Sequence, residues 1–101
     1  MIEKKVINDI LKLSINEVLK NEENIDLYSD FIGKGSNLGS LDIVEIISSV
    51  EDKLESIGYE GYDLFEKTFE NESLTFNEFS NLIEKFINSW DDYHKWFFYF
   101  S

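Results

Sequence analysis

The chain has no proline in 101 residues, and three of its five glycines fall in one short stretch between Gly33 and Gly39. Proline ends or kinks a helix because it lacks an amide donor and clashes with the preceding turn, and glycine costs about 1 kcal/mol in a helix interior. A chain nearly free of both outside one loop is predicted to form long helices with few connections. Its length suits one small domain with a single core, and its 43% hydrophobic content is too high for a disordered polymer. The expected fold class is all-α: a small four-helix bundle of three longer helices and one short one, with a long loop between helices 1 and 2.

Hydrophobic periodicity places the helices. Residues Ile2 to about Lys20 carry a wide apolar stripe from Val6, Ile7, Ile10, Leu11, Ile15 and Val18, and the polar run Asn21 to Asn24 breaks it. A long loop from Ile25 to Gly39, pinned by Leu27, Tyr28, Phe31 and Ile32, leads to the second helix. There Ile43, Ile46, Ile47, Val50, Leu54 and Ile57 recur at three- and four-residue steps and define a buried face. Leu41, Val44, Glu45, Ser48, Glu51, Asp52 and Glu55 fall on the other side. Gly58 and Gly61 end this helix, and Tyr62 to Phe69 forms a short third one. Thr75-Phe76-Asn77-Glu78 matches a capping box, flanked by Leu74 and Phe79 as a hydrophobic staple. The last helix buries Phe76, Phe79, Leu82, Ile83, Phe86 and Ile87 and closes near the end of that stripe.

Ser40 stands where the glycine-rich loop opens the second helix. No base accompanies it in its sequence neighbourhood, so the hydroxyl suits modification by a partner better than self-activated catalysis. Free amides and the dipole at a helix start favour a phosphate there, and Gly35 and Gly39 are read as letting the backbone turn tightly. Leu41 and Val44 form an apolar pair on the exposed side, ringed by Asp42, Glu45, Glu51 and Asp52. A few apolar anchors among charges provide both contact and orientation for a docking partner. The plainer alternative is that Ser40 or a neighbour simply caps a helix.

At Gly39, Ser40, Leu41, Asp42, Val44, Glu45 and Ile46 the chain resembles the acyl carrier protein family, whose modification site reads approximately D-S-L-x-x-V-E-L at the start of its second helix. Upstream, Asp30-Phe31 with Gly33, Gly35 and Leu38 is similar to the family's approach loop. In helix order the resemblance covers about Ile2 to Ile87, and the sequence departs from the family in having Gly39 where an Asp is usual. The resemblance implies an acyl-carrier-like bundle in residues 1–89 and a non-catalytic role. By the same resemblance, a phosphopantetheinyl transferase would use coenzyme A and magnesium to attach 4'-phosphopantetheine to Ser40. The thiol of that arm would carry acyl groups as thioesters in a specialised fatty-acyl or polyketide-like pathway. Partners would include acyl-transferring or acyl-activating enzymes with basic docking surfaces.

Charge narrows the field further. Twenty-one acidic residues oppose nine lysines, with no arginine, for a formal net charge of −12. Between Gly39 and Phe79 stand eleven acidic residues and two lysines, a net of −9, so most of the excess lies on the segment that carries Ser40. Such a field repels nucleic acid and anionic lipid and attracts basic protein surfaces. The absence of cysteine removes disulfide frameworks and thiolate metal sites. No apolar run approaches membrane-spanning length, and Met1-Ile2-Glu3-Lys4 does not begin a signal peptide, so a cytoplasmic location is expected. His94 is the only histidine and nothing in the spacing pairs it with Ser40. The acidic pairs Glu22-Glu23, Glu51-Asp52 and Asp91-Asp92 are sequence neighbours, which do not face one site on a helix. Asp26 and Asp30 lack the alternating oxygen ligands of a calcium loop, and no catalytic or metal constellation is found.

Residues 90–101 form a separate extension, with seven aromatics between Trp90 and Phe100. Folding back over the bundle is one reading. The other is a patch that docks an enzyme or a second copy of the chain. Against the carrier reading stands one alternative of a different class, an acidic helical binding or inhibitor protein of the immunity type, which covers a basic surface and needs no modification.

Overall fold

The computed structural model describes residues 2–20, 26–59 and 63–100, with the stretch 90–100 described by its backbone alone. The sequence readings of Glu22-Glu23, Gly61 and Tyr62, and of the side chains between Trp90 and Ser101, lie outside the described residues. Four helices, α1 (Lys4–Leu19), α2 (Ser40–Ser56), α3 (Leu64–Phe69) and α4 (Phe76–Phe100), are joined by segments that include two short strands, β1 (Asp30–Ile32) and β2 (Leu74–Thr75). The three longer helices and the short one are as periodicity predicts. The sheet is not, so the fold is mostly helical without being purely so.

The sheet arises because the long loop needs backbone partners. β1 and β2 pair antiparallel, Asp30 with Thr75 and Ile32 with Leu74, with a register shift between the two pairs. Strands of two and three residues are too short for period-2 patterning to reveal them. The pairing places Phe31 at 0% exposure, with its ring stacked on Phe76 at 5.1 Å and against Phe79 at 4.9 Å. Leu27 and Ile32 pack partly against the same core, whereas Tyr28, expected to help pin the loop, is 77% exposed.

The loop also completes the start of α4. Thr75 Oγ1 accepts from the Glu78 amide at 3.1 Å while the Glu78 carboxylate accepts from the Thr75 amide at 2.9 Å, the reciprocal pair of a capping box. The next two amides do not wait for solvent: that of Phe76 donates to the Ser29 carbonyl at 3.1 Å and that of Asn77 to the Leu27 carbonyl at 2.6 Å. The staple residues Leu74 and Phe79 are both buried.

The core combines Ile7, Ile10, Leu11 and Ile15 of α1 with Ile46, Ile47, Val50 and Leu54 of α2 and Phe79, Ile83 and Ile87 of α4. Two predicted stripe positions differ. Val6 at 38% exposure sits on the edge of the α1 stripe, and Ile57 at 50% exposure lies past the last turn of α2. Gly58 takes φ +102, and the amides of Gly58 and Tyr59 donate to the carbonyls of Glu55 at 3.0 Å and Leu54 at 2.9 Å. This is the Schellman pattern, and it turns the chain away before Ile57 can reach the core. The third helix begins at Leu64 rather than Tyr62, capped by Asp63, whose carboxylate accepts from the Glu66 amide at 3.2 Å.

Polar pairs set the direction of α1 against α4. The Ile2 amide donates to Asn88 at 3.4 Å, Lys4 Nζ donates to Asn81, and Ser80 Oγ donates to Asn8 at 2.5 Å. Partner numbers fall as α1 advances, so the two helices are antiparallel and α1 begins near the level of Asn88. Helix α4 does not stop there as expected; its backbone continues in one piece to Phe100.

Candidate functional site

The head of α2 is built by its approach loop. Gly33 adopts φ +121, and a Cβ there would lie 2.8 Å from that of Ser73, so this is the position that needs glycine. Beyond it, the Ser36 amide donates to the Gly33 carbonyl at 3.1 Å and its hydroxyl to the Phe31 carbonyl at 2.7 Å, while the Leu38 amide donates to Ser36 Oγ at 3.2 Å. Ser36 therefore ties the tip of the loop to buried Phe31. Gly35 is packed against Asp30, whose carboxylate a Cβ would strike.

Gly39 is the N-cap of α2 at φ −75 and ψ 163, an extended conformation open to any residue, and the nearest atom to an added Cβ is an Asp42 oxygen at 3.9 Å. The tight turn read from Gly39 is thus made earlier, at Gly33. No side chain caps α2: its N-cap is Gly39, the neighbour that the plainer reading allows, and Ser40 is the first residue of the helix. Its hydroxyl is exposed and has no hydrogen-bond partner among the described residues. Of the first-turn amides, that of Ile43 donates to the Gly39 carbonyl at 3.2 Å. Among the described residues the amides of Ser40, Leu41 and Asp42 have no partner, whereas the loop and Thr75 consume those at the start of α4. Open amides with the helix dipole behind them present partial positive charge to an anion.

Around Ser40 the predicted docking residues divide. Leu41 is 69% exposed and Val44 38%, Glu45 and Asp52 are exposed, and Asp42 is half-buried. Glu51, expected on the same open face, is instead half-buried with a shielded oxygen, because α3 packs against that side of α2. The open face is therefore Leu41, Val44, Glu45 and Asp52, one side of the helix that begins at Ser40. Helices α1 and α2 are held by Glu17, which pairs with Lys53 at 2.7 Å and accepts from Ser49 at 3.1 Å; both contacts hold its pKa below the usual carboxylate range.

A second feature has no signal in the sequence. An open groove of about 1060 Å³ runs between α3 and α4, with Leu74, Leu82 and Phe86 among its apolar walls and Lys67 and Lys85 at its edge. Its residues come from elements far apart in sequence, so no local motif could announce it. Among the described residues no group of three or more histidines and carboxylates converges on a metal-sized site, and no helix is long and apolar enough to cross a membrane. No family model, curated protein or solved structure matches this chain.

Proposed function

We propose that this chain is an acyl carrier protein: a non-catalytic bundle of acyl-carrier type that bears 4'-phosphopantetheine on Ser40 and presents acyl thioesters to enzymes of a specialised fatty-acyl or polyketide-like pathway. The observation that carries the reading is the Ser40 hydroxyl, exposed at the head of α2 beside three open amides and, among the described residues, without a partner. A transferase needs such a hydroxyl to be reachable, and the amides would accommodate the phosphate once the ester forms. Exposed Leu41 and Val44 with Glu45 and Asp52 supply a face of apolar anchors and negative charge for basic partner enzymes. A cytoplasmic location goes with this role.

Incubation with coenzyme A, magnesium and a broad-specificity phosphopantetheinyl transferase, followed by intact mass measurement, tests the reading. Wild type is expected to gain one phosphopantetheine and Ser40→Ala none. Wild type left unmodified by several transferases would sink the assignment and favour the acidic binding-protein alternative.

A further inference from the structure

Helix α4 is longer than the bundle it belongs to. It runs for 25 residues against 16 in α1, and α1 begins near the level of Asn88, where the Ile2 amide is bonded. At 1.5 Å per residue the backbone of 90–100 carries on for about 16 Å past that contact. An unbroken helix cannot turn its own end back over the bundle, so the course of α4 goes against the folded-back reading of this extension.

The extension continues an apolar stripe that starts inside the bundle. Leu82 and Phe86, both half-buried, stand in the wall of the groove between α3 and α4. At 3.6 residues per turn, positions Leu82, Phe86, Trp90, Tyr93, Phe97 and Phe100 fall within an arc of about 80° along α4, and Asp91, Asp92 and Lys95 fall outside it. Apolar steps of three and four residues sustained in this way are how one helix seats against another.

Reversal symmetry, charge and area together select a second copy of this chain as the partner. The stripe reads nearly the same in both directions: in an antiparallel pair Leu82 comes opposite Phe100, Phe86 opposite Phe97 and Trp90 opposite Tyr93. A patch that matches its own reverse is what a twofold interface requires. Residues 82–100 hold three acidic residues and two lysines, a net of −1 in a chain of −12, so two copies meet here with little of the repulsion that their acidic faces would impose. With Tyr93, Phe97 and Phe100 contributed by each copy, at roughly 200 Å² per ring, the contact reaches about 1,200 Å², the lower bound of a specific interface. We propose that α4 pairs antiparallel with α4 of a second copy, Phe97 and Phe100 of each filling the α3–α4 groove of the other, whether or not Ser40 is modified.

Sedimentation equilibrium of the full-length protein tests this. At high concentration the mass is expected to be twice that of one chain, falling toward one on dilution. Phe97→Asp, on the stripe, is expected to weaken pairing roughly thirtyfold or more, the loss that goes with a central aromatic contact, whereas Phe98→Asp, outside the arc, leaves it nearly unchanged. Because the chain lacks cysteine, introduced thiols report the orientation. An equal mixture of Leu82→Cys and Phe100→Cys proteins is expected to form a disulfide-linked pair, and neither protein alone to do so. A single chain at every concentration overturns the proposal and leaves the stripe to a different partner. Equal weakening by both aspartates overturns it too, as does cross-linking of either cysteine variant with itself, the mark of parallel pairing. Should Phe97→Asp fail to fold by circular dichroism, the cysteine pattern decides alone.

Discussion

Ser14 occupies the buried face of α1 at 0% exposure, between Leu11 and Ile15, and its hydroxyl has no hydrogen-bond partner among the described residues. An unmet buried hydroxyl costs about 1–3 kcal/mol. Alanine removes it and is the better helix former, so Ser14→Ala is expected to raise the melting temperature by an amount equivalent to about 1 kcal/mol or more. Thermal unfolding checks this, and a destabilised variant would mean that the hydroxyl is satisfied in solution. Polar identity hid this position: the stripe of Ile7, Ile10, Leu11 and Ile15 was legible, while a serine at the same period reads as surface until the packing is seen. Glu51 is the converse case. Its place on α2 was legible, but the approach of α3 that shields it was not.

At the scale of elements, the start of α4 shows how local signals and distant contacts combine. Thr75 and Glu78 form their reciprocal bonds from neighbouring sequence, so the capping box could be read directly. The carbonyls of Leu27 and Ser29 that meet the next amides come from nearly fifty residues away, and no local pattern encodes them. Thr75→Ala is predicted to cost about 1 kcal/mol, the usual value of a lost N-cap, because the loop bonds persist. Denaturant unfolding with an unchanged slope would report it. A loss several times larger would show that the cap also holds the β1–β2 pairing, and with it the loop that leads to Ser40.

For the whole molecule, the 47 × 26 × 21 Å shape reflects a long α4 set against a shorter α1. Because α1 begins near the level of Asn88, the α4 backbone at 90–100 extends past the start of α1. Their removal is predicted to leave a folded bundle, since Phe79, Ile83, Ile87 and the Ile2–Asn88 contact all remain. Circular dichroism melts would show a retained cooperative transition, and sedimentation would show whether self-association is lost. An unfolded truncation would place the aromatic residues in the core.

The sequence by itself determined the four helices, the box and staple before α4 and the place of Ser40 at the head of α2. Each is a local matter, set by hydrophobic period, by side chains within a turn of the amides they cap, or by a glycine-rich stop. Only the tertiary structure decided the β1–β2 pairing, the orphaned Ser14, the shielding of Glu51 by α3 and the groove between α3 and α4. It also moved the required glycine from Gly39 to Gly33, because the close approach of Ser73 arises only when two distant loops meet. These features depend on which surfaces come together, and a periodic pattern specifies a buried face without naming its neighbour.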